Sequence, residues 1–413
     1  MSKSFDALWD AVLPIGRDDR TGGYRRCAWT PADLQCREWF IAAAQDRGLG
    51  VETDRNGNLW AWWGDPAAGD AVVIGSHLDS VPDGGAYDGP LGVVSAFAAL
   101  DDLRGRKITP GLPVAVAAFS DEEGARFGVA CGGSRLLTGQ LEPDRARGLR
   151  DGDGATMAEA MAAAGHDPTQ LGRDDQRLRQ IGCFVELHIE QGRVRVETSD
   201  GPVYGLAGLD VPLGLASSIW PHGRWRIEMA GRADHAGTTR LEDRDDPMLL
   251  FAATVLAARE AAIRHNALAT IGKVNVEPNG VNAIPSGVTA WLDARGSDEP
   301  RVRALVADLA GDLSSLHRSA RVEEESWTPL TMFDEPLRDR LVRILRDAPI
   351  IPTGAGHDAG ILAAAGVPAA MLFVRNPTGT SHSPLEHAER DDCLAGVAAL
   401  AEVIADLATV RDG

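Results

Sequence analysis

The stretch "AVVIGSHLDSVPDGGAYDGPLGVVSAFAAL", residues 71–100, decides how the chain folds. It opens on a short β-rich apolar run, 71–76, and closes on helical spacing that begins after Pro90 and continues to 106. Between them stand His77, Asp79 and Asp88, with glycines at 84, 85 and 89. The runs 112–120 and 183–190 read as two further buried strands. Strands alternating with helices predict an α/β fold with a mostly parallel sheet, whose ligand sites gather outside the carboxyl ends of the strands. His77, Glu122 and Glu123 fall just beyond such ends.

Around residue 213 the texture changes. "RWRIEMAGRADHAGTT" (224–239) starts as an alternating strand, and 245–265 is a helix with Asp246 as N-cap and Pro247 at its first position. Two strands joined by a Gly/Pro/Asn loop follow across 270–295, then a helix at 302–320. This α+β unit, 213–325, reads as an insertion into a discontinuous domain of 1–212 and 326–413. The α/β texture resumes with a helix at 335–347, a helix ending at 365, the strand "AAMLFVRN" (369–376) and a closing helix at 392–410.

Composition narrows the possibilities. With 413 residues, 44% hydrophobic and 24% charged, the chain reads as a soluble protein of two domains. A formal charge of −19 and the lack of basic blocks exclude a nucleic-acid partner. No apolar run approaches the roughly 20 residues that span a bilayer, so no membrane partner is expected. Five scattered cysteines without CxxC spacing, and an N-terminus unlike a secretory signal, point to the cytoplasm.

Four segments carry candidate chemistry. His77 and Asp79 lie two apart and can share a face, and a metal-binding imidazole usually donates its other N–H to a carboxylate. A polar turn with a solvated histidine fits that segment equally well when it is taken alone. Glu122 and Glu123 follow a strand directly, where neighbouring carboxylates repel unless a cation offsets them; an ordinary acidic loop is the alternative. His188 sits in an apolar strand, as many satisfied core histidines do, and His382 in a Ser/Gly/Pro loop, as many solvated ones do. Together these are the ligand types of two borderline divalent cations.

Seven segments in order, "GSHLDSVPDGGAYDG", "DEEGARFG", "ELHIEQG", "GRADHAGTT", "VNAIPSGVTAWLDAR", "GAGHDA" and "SHSPLEH", resemble motifs of the metal-dependent amidohydrolases related to the M20 peptidases. The likeness is to their N-carbamoyl-L-amino-acid hydrolase and allantoate amidohydrolase branch. It runs from about residue 20 to 410. The resemblance implies Asp88 as a carboxylate bridging two divalent ions (Zn, Mn, Co or Ni), His77 with His188 on one and Glu123 with His382 on the other. It implies Glu122 as general base and Asp79 as the acid orienting His77. Arg295 would anchor the substrate carboxylate with Asn282, Arg224 would be a third contact, and Gln191 and His357 would line the pocket. His235 would reach a neighbouring subunit's site, making a homodimer with composite active sites in which 213–325 is lid and dimerisation domain.

The activity so implied is metal-dependent hydrolysis of a ureido or amide C–N bond in a small carboxylate, allantoate or an N-carbamoyl-L-amino acid, releasing ammonia and CO2. A deacylase or dipeptidase of the same architecture is the nearest alternative, against which His188 speaks, because those relatives typically carry an acid there. A non-catalytic metal- or amino-acid-binding protein would keep the fold but has no need of Glu122. Arg240 stands where the family's proline is usual, and the segments after Gly192 and before His382 depart from its pattern.

Overall fold

The computed structural model describes residues 2–316, 320–346 and 348–409. It divides into two compact units, one of residues 1–218 with 332–413 and one of residues 219–331.

The larger unit is built on a nine-stranded sheet. Its centre is four parallel strands in the order Val114–Phe119, Ala71–His77, Ile181–Ile189 and Ala369–Val374. These are near-continuous runs of Val, Ile, Leu, Ala and Phe, the pattern of strands covered on both faces. Antiparallel strands extend the sheet, Leu59–Trp63 and Gly50–Thr53 on one side and Leu213–Ile219 on the other. The helix Pro90–Gly105 packs on the central strands and in turn against the helix Arg390–Leu407. Phe97, wholly buried on the first of these, meets Phe40 edge-on at 5.1 Å between ring centroids.

The smaller unit is a four-stranded antiparallel sheet, ordered Leu268–Glu277, Gly287–Arg295, His222–Ala230 and Arg321–Thr328. Strict alternation along the two central strands buries Trp225, Ile227, Met229, Val288, Ala290, Leu292 and Ala294. These side chains pack with the helices Pro247–His265 and Glu299–Leu316. The other face is left to Arg224, Arg226, Asp293 and Arg295. Asp246 caps the first helix as its sequence implies, accepting from Met248 N at 2.9 Å.

Several elements depart from expectation. Leu213–Ile219, read with the insertion, pairs with Ala369–Val374 in the large sheet, so the smaller unit starts at Ile219. The helix expected at 335–347 ends at Ile344 and that at 392–410 ends at Leu407, each with its cap described; the helix expected to reach 320 is described to Leu316, and 317–319 lie outside the described residues. Among the described residues no helix is long and apolar enough to cross a membrane.

Phe97→Ala should cost about 3–5 kcal/mol, because it removes a wholly buried ring and leaves a cavity beside Phe40. The check is the urea unfolding midpoint, which should fall while secondary structure by circular dichroism stays that of the parent.

Candidate metal centre

The centre grows out of the carboxyl ends of the central parallel strands. His77 is the last residue of Ala71–His77, and His188 is the penultimate residue of the adjacent strand Ile181–Ile189. Glu122 and Glu123 follow Val114–Phe119, and His382 lies in the loop after Ala369–Val374. Asp88 sits just before the helix Pro90–Gly105. The N-cap between them, Gly89, has φ +84°, and a Cβ there would fall 2.5 Å from the His77 ring. That position therefore needs glycine both for its backbone and for the room it leaves the imidazole.

Both buried histidines are oriented through Nδ1. His77 Nδ1 lies 3.1 Å from the Asp79 carbonyl and His188 Nδ1 2.8 Å from the Ile189 carbonyl. A carbonyl only accepts, so each Nδ1 carries a proton and each Nε2 is turned to Asp88, as an N–H while the ring is protonated and as a lone pair once a cation takes the proton's place. Neither Nε2 makes a hydrogen bond, although both are buried. They lie 3.4 and 3.1 Å from the same atom, Asp88 Oδ1. The other carboxylate oxygen, Asp88 Oδ2, is 3.5 Å from His382 Nε2, which is 3.4 Å from Glu123 Oε2. His77, Asp88 and His188 thus form one group and Asp88, Glu123 and His382 another, with ligand atoms within 4.8 Å of one another in each.

These residues fit metal ions. Two ligand atoms at about 2.1 Å from one ion, at a tetrahedral angle, stand about 3.4 Å apart. The donors are imidazole and carboxylate, suited to borderline cations. Charge points the same way. Burial, reinforced by Asp358, Glu123 and Glu186, pushes the Glu122 carboxyl well above the usual range. Burial and Asp88 do the same to Glu123. Burial works against Asp88 too, yet His188 and His77 hold it well below its ordinary value. Carboxylates outnumber the imidazoles in a dry site, and cations are what would let them ionise together.

Around this core stand the other residues singled out in the sequence. Asp79 meets His77 through its main-chain carbonyl; its carboxylate is 3.6 Å from that imidazole and accepts from Glu122 N at 3.1 Å and Glu123 N at 3.0 Å. Asp79 therefore holds the acidic pair as much as the histidine. Glu122 lies outside both three-residue groups, 3.8 Å from His77 Nε2 and 3.8 Å from His357 Nδ1. His357 is buried, tilted against the His188 ring at 4.4 Å, and neither of its nitrogens has a hydrogen-bond partner. Burial, with His188 beside it, pushes its pKa well down, so its imidazole is neutral. Gln191 donates to Asp88 Oδ2 at 2.5 Å and so touches the carboxylate that the two groups share.

The remaining candidates belong to the smaller unit. Arg295 is held bidentately by Asp293, at 2.7 and 2.6 Å, and Arg224 lies 3.8 Å from the same carboxylate. Asn282 and His235 meet in a short ribbon, where Asn282 O accepts from Ala236 N at 3.1 Å and His235 pairs with Ala283. Gly237 N donates to His235 Nδ1 at 3.0 Å, which leaves the ring proton on Nε2. Glu186, Asp358 and Glu386, all buried near the centre, were not singled out in the sequence. Glu386 lies inside the quoted "SHSPLEH", but nothing in a linear motif tells a buried acid from a surface one.

The profile of the peptidase family M20/M25/M40 matches residues 73–406. The N-carbamoyl-L-amino acid amidohydrolase of Geobacillus stearothermophilus is 33% identical over 98% of both chains. The allantoate amidohydrolase of Escherichia coli strain K12 is 30% identical over 94% of each. Among solved structures, an amidase of the hydantoinase/carbamoylase family from Burkholderia vietnamiensis superposes with a TM-score of 0.89 at 28% identity, covering 99% of this chain and 97% of its own.

Gly89→Ala should strain the backbone and crowd His77, and metal analysis of the purified variant should find less bound ion than in the parent. Stripping the parent with a chelator should lower its melting temperature, and returning zinc or manganese should restore it, since an ion bound only by the folded state stabilises that state.

Proposed function

This chain belongs to the peptidase family M20/M25/M40, and from that premise we propose that it uses two divalent ions to hydrolyse the ureido C–N bond of a small carboxylate, allantoate or an N-carbamoyl-L-amino acid. It is a hydrolase of non-peptide C–N bonds. The observation that carries the finer reading is Asp88, whose two oxygens face separate ligand groups with Glu122 beside them. His188, in place of an acid, favours a ureido substrate over the acylated or peptide ones.

His77 and His188 would hold one ion and Glu123 and His382 the other, with Asp88 between. Bound ions of this kind acidify a water and polarise a carbonyl. Glu122, buried and set apart from the ligands, takes the proton of the attacking water and passes it to the leaving nitrogen. A raised pKa suits a group that must both accept and return a proton. His357, neutral and without a partner, offers a hydrogen bond to the substrate beside Glu122. Arg295, with Asn282 and Arg224, takes the substrate carboxylate, a planar anion that matches a guanidinium. Asp293 already fixes the plane of that guanidinium. His235, with its proton on Nε2, is a donor for the developing oxyanion.

The partner we propose is a second copy of the chain. Leu249, Leu256 and Ile263 recur every seven residues on the helix Pro247–His265 and are 72%, 66% and 65% exposed. The neighbouring strand Leu268–Glu277 is an edge of its sheet, with Leu268 and Val274 also exposed. An apolar stripe beside an open strand edge is a surface that another chain covers.

The deciding assay is ammonia release by metal-reloaded protein given allantoate, N-carbamoyl-L-amino acids and N-acetyl-amino acids in parallel. Ureido turnover that vanishes on stripping is expected; turnover of the acetyl substrates alone would favour the deacylase reading. Glu122→Gln should keep bound metal and lose at least about 100-fold in kcat, as removal of a general base does. Arg295→Ala should raise KM far more than it lowers kcat, and unchanged selectivity for carboxylate substrates would rule out the anchor. Leu256→Glu should sediment as a monomer, and if His235 serves the neighbouring site, that monomer should be inactive.

A further inference from the structure

We propose that Glu386 is a positioning residue that locks the loop carrying Asp88 to the loop carrying His382, and thereby sets the affinity of the outer ligand group, Asp88, Glu123 and His382. The inference rests on the metal-centre reading above.

The two ligand groups are held very differently. His77 and His188 lie on central strands with fully buried side chains. His382 sits in a loop, its side chain 52% exposed, with φ +53°. A left-handed backbone at a residue other than glycine persists only where its surroundings hold it. The strand packing that fixes the inner histidines is absent here, so the loop itself must supply the constraint.

Two buried side chains do so. Asn376, wholly buried at the start of the loop, accepts from Thr378 N at 3.1 Å and Gly379 N at 3.0 Å and donates to Thr380 O at 2.8 Å. Glu386, four residues past His382 and 5% exposed, reaches out of the loop altogether. Its Oε2 accepts from Tyr87 N at 2.9 Å and from Asp88 N at 3.0 Å. Bonds that a buried carboxyl oxygen accepts from backbone N–H groups are costly to lose, because water cannot replace them. The contact is close: a Cβ added at Gly85 would fall 2.5 Å from Glu386 Cδ. One side chain thus ties the backbone of the bridging carboxylate to the segment that bears the exposed histidine. Cutting that tie frees two of the three outer ligands, Asp88 and His382, whereas the inner group keeps His77 and His188 fixed on their strands and loses the hold on Asp88 alone.

The test is a cobalt(II) titration of the chelator-stripped full-length protein, followed by visible absorption and equilibrium dialysis. The parent should take up two ions; fewer would overturn the metal-centre reading itself. Glu386→Leu, similar in volume but without an acceptor, should bind the weaker ion about 10–100-fold less tightly, the size of effect that orienting partners of ligands have. The tighter ion should stay within about threefold of the parent. Glu386→Gln keeps a carbonyl oxygen for both N–H groups and should restore the weaker ion to within about threefold. Parent-like binding of both ions by Glu386→Leu, equal loss of both, or failure of Gln to rescue would overturn the proposal while leaving the parent's two ions intact. Should the leucine variant not fold, Gly85→Ala attacks the same contact from the opposite loop. It should show the same selective loss, and parent-like affinity for both ions there would likewise overturn the role of Glu386.

Discussion

Like charges buried together govern this molecule. Asp79, Asp88 and Glu122 are each at most 5% exposed, and Glu123 joins them at the carboxyl end of the central strands. Taking carboxylates out of water costs several kcal/mol apiece even after relaxation, and their mutual repulsion adds to it. Asp79 meets part of that cost by accepting two backbone N–H groups, and Asp88 by standing between imidazoles. Glu122 and Glu123 have less relief, the Cys131 thiol at 3.6 Å for the first and Val81 N at 3.3 Å for the second, and burial holds both carboxyls well above their ordinary range. Much of the surrounding architecture follows from that arrangement: the glycine at 89, the protons placed on Nδ1 of both buried histidines, and the Nε2 atoms turned toward one carboxylate.

The two units solve different problems. Parallel strands buried on both faces give the larger unit fixed end-points, which is what a multi-ligand centre requires, because ligand atoms must be held to a fraction of an ångström. The smaller unit, antiparallel and covered on one face only, keeps a polar face on which Arg224, Arg295 and Asp293 gather. There Asp293 fixes the orientation of Arg295 through two charge-assisted bonds. Its helix leaves three apolar residues at heptad spacing uncovered.

Much of this is visible along the chain. The strand read at 71–76 runs from Ala71 to His77, that at 112–120 from Val114 to Phe119, and that at 183–190 from Ile181 to Ile189. Uninterrupted apolar runs bounded by Gly, Pro and Asp are hard to mistake. The helix Pro247–His265 follows from its cap. Other elements left no such trace. "LWAWW" (59–63) is a strand without alternation, since four of its five residues are buried. Leu213–Ile219 belongs to the large sheet although the change of texture falls at 213, because a shift in local pattern does not say which sheet a strand joins.

The sequence by itself determined the ligand types, their order and the strand ends on which they fall, because residue chemistry and hydrophobic period are local properties. Only the tertiary structure decided which of them meet. The sharing of Asp88 between His77 with His188 and Glu123 with His382 depends on strands up to about 300 residues apart in sequence lying side by side, as the parallel register of 71–77, 181–189 and 369–374 makes them. The same holds for Asp79, whose carboxylate turned from the histidine to the acidic pair, and for Glu386, an acid like any other until folding placed it under the backbone of Asp88. Burial and partners across hundreds of residues are set by the packing of the whole core, and no short stretch of chain carries that information.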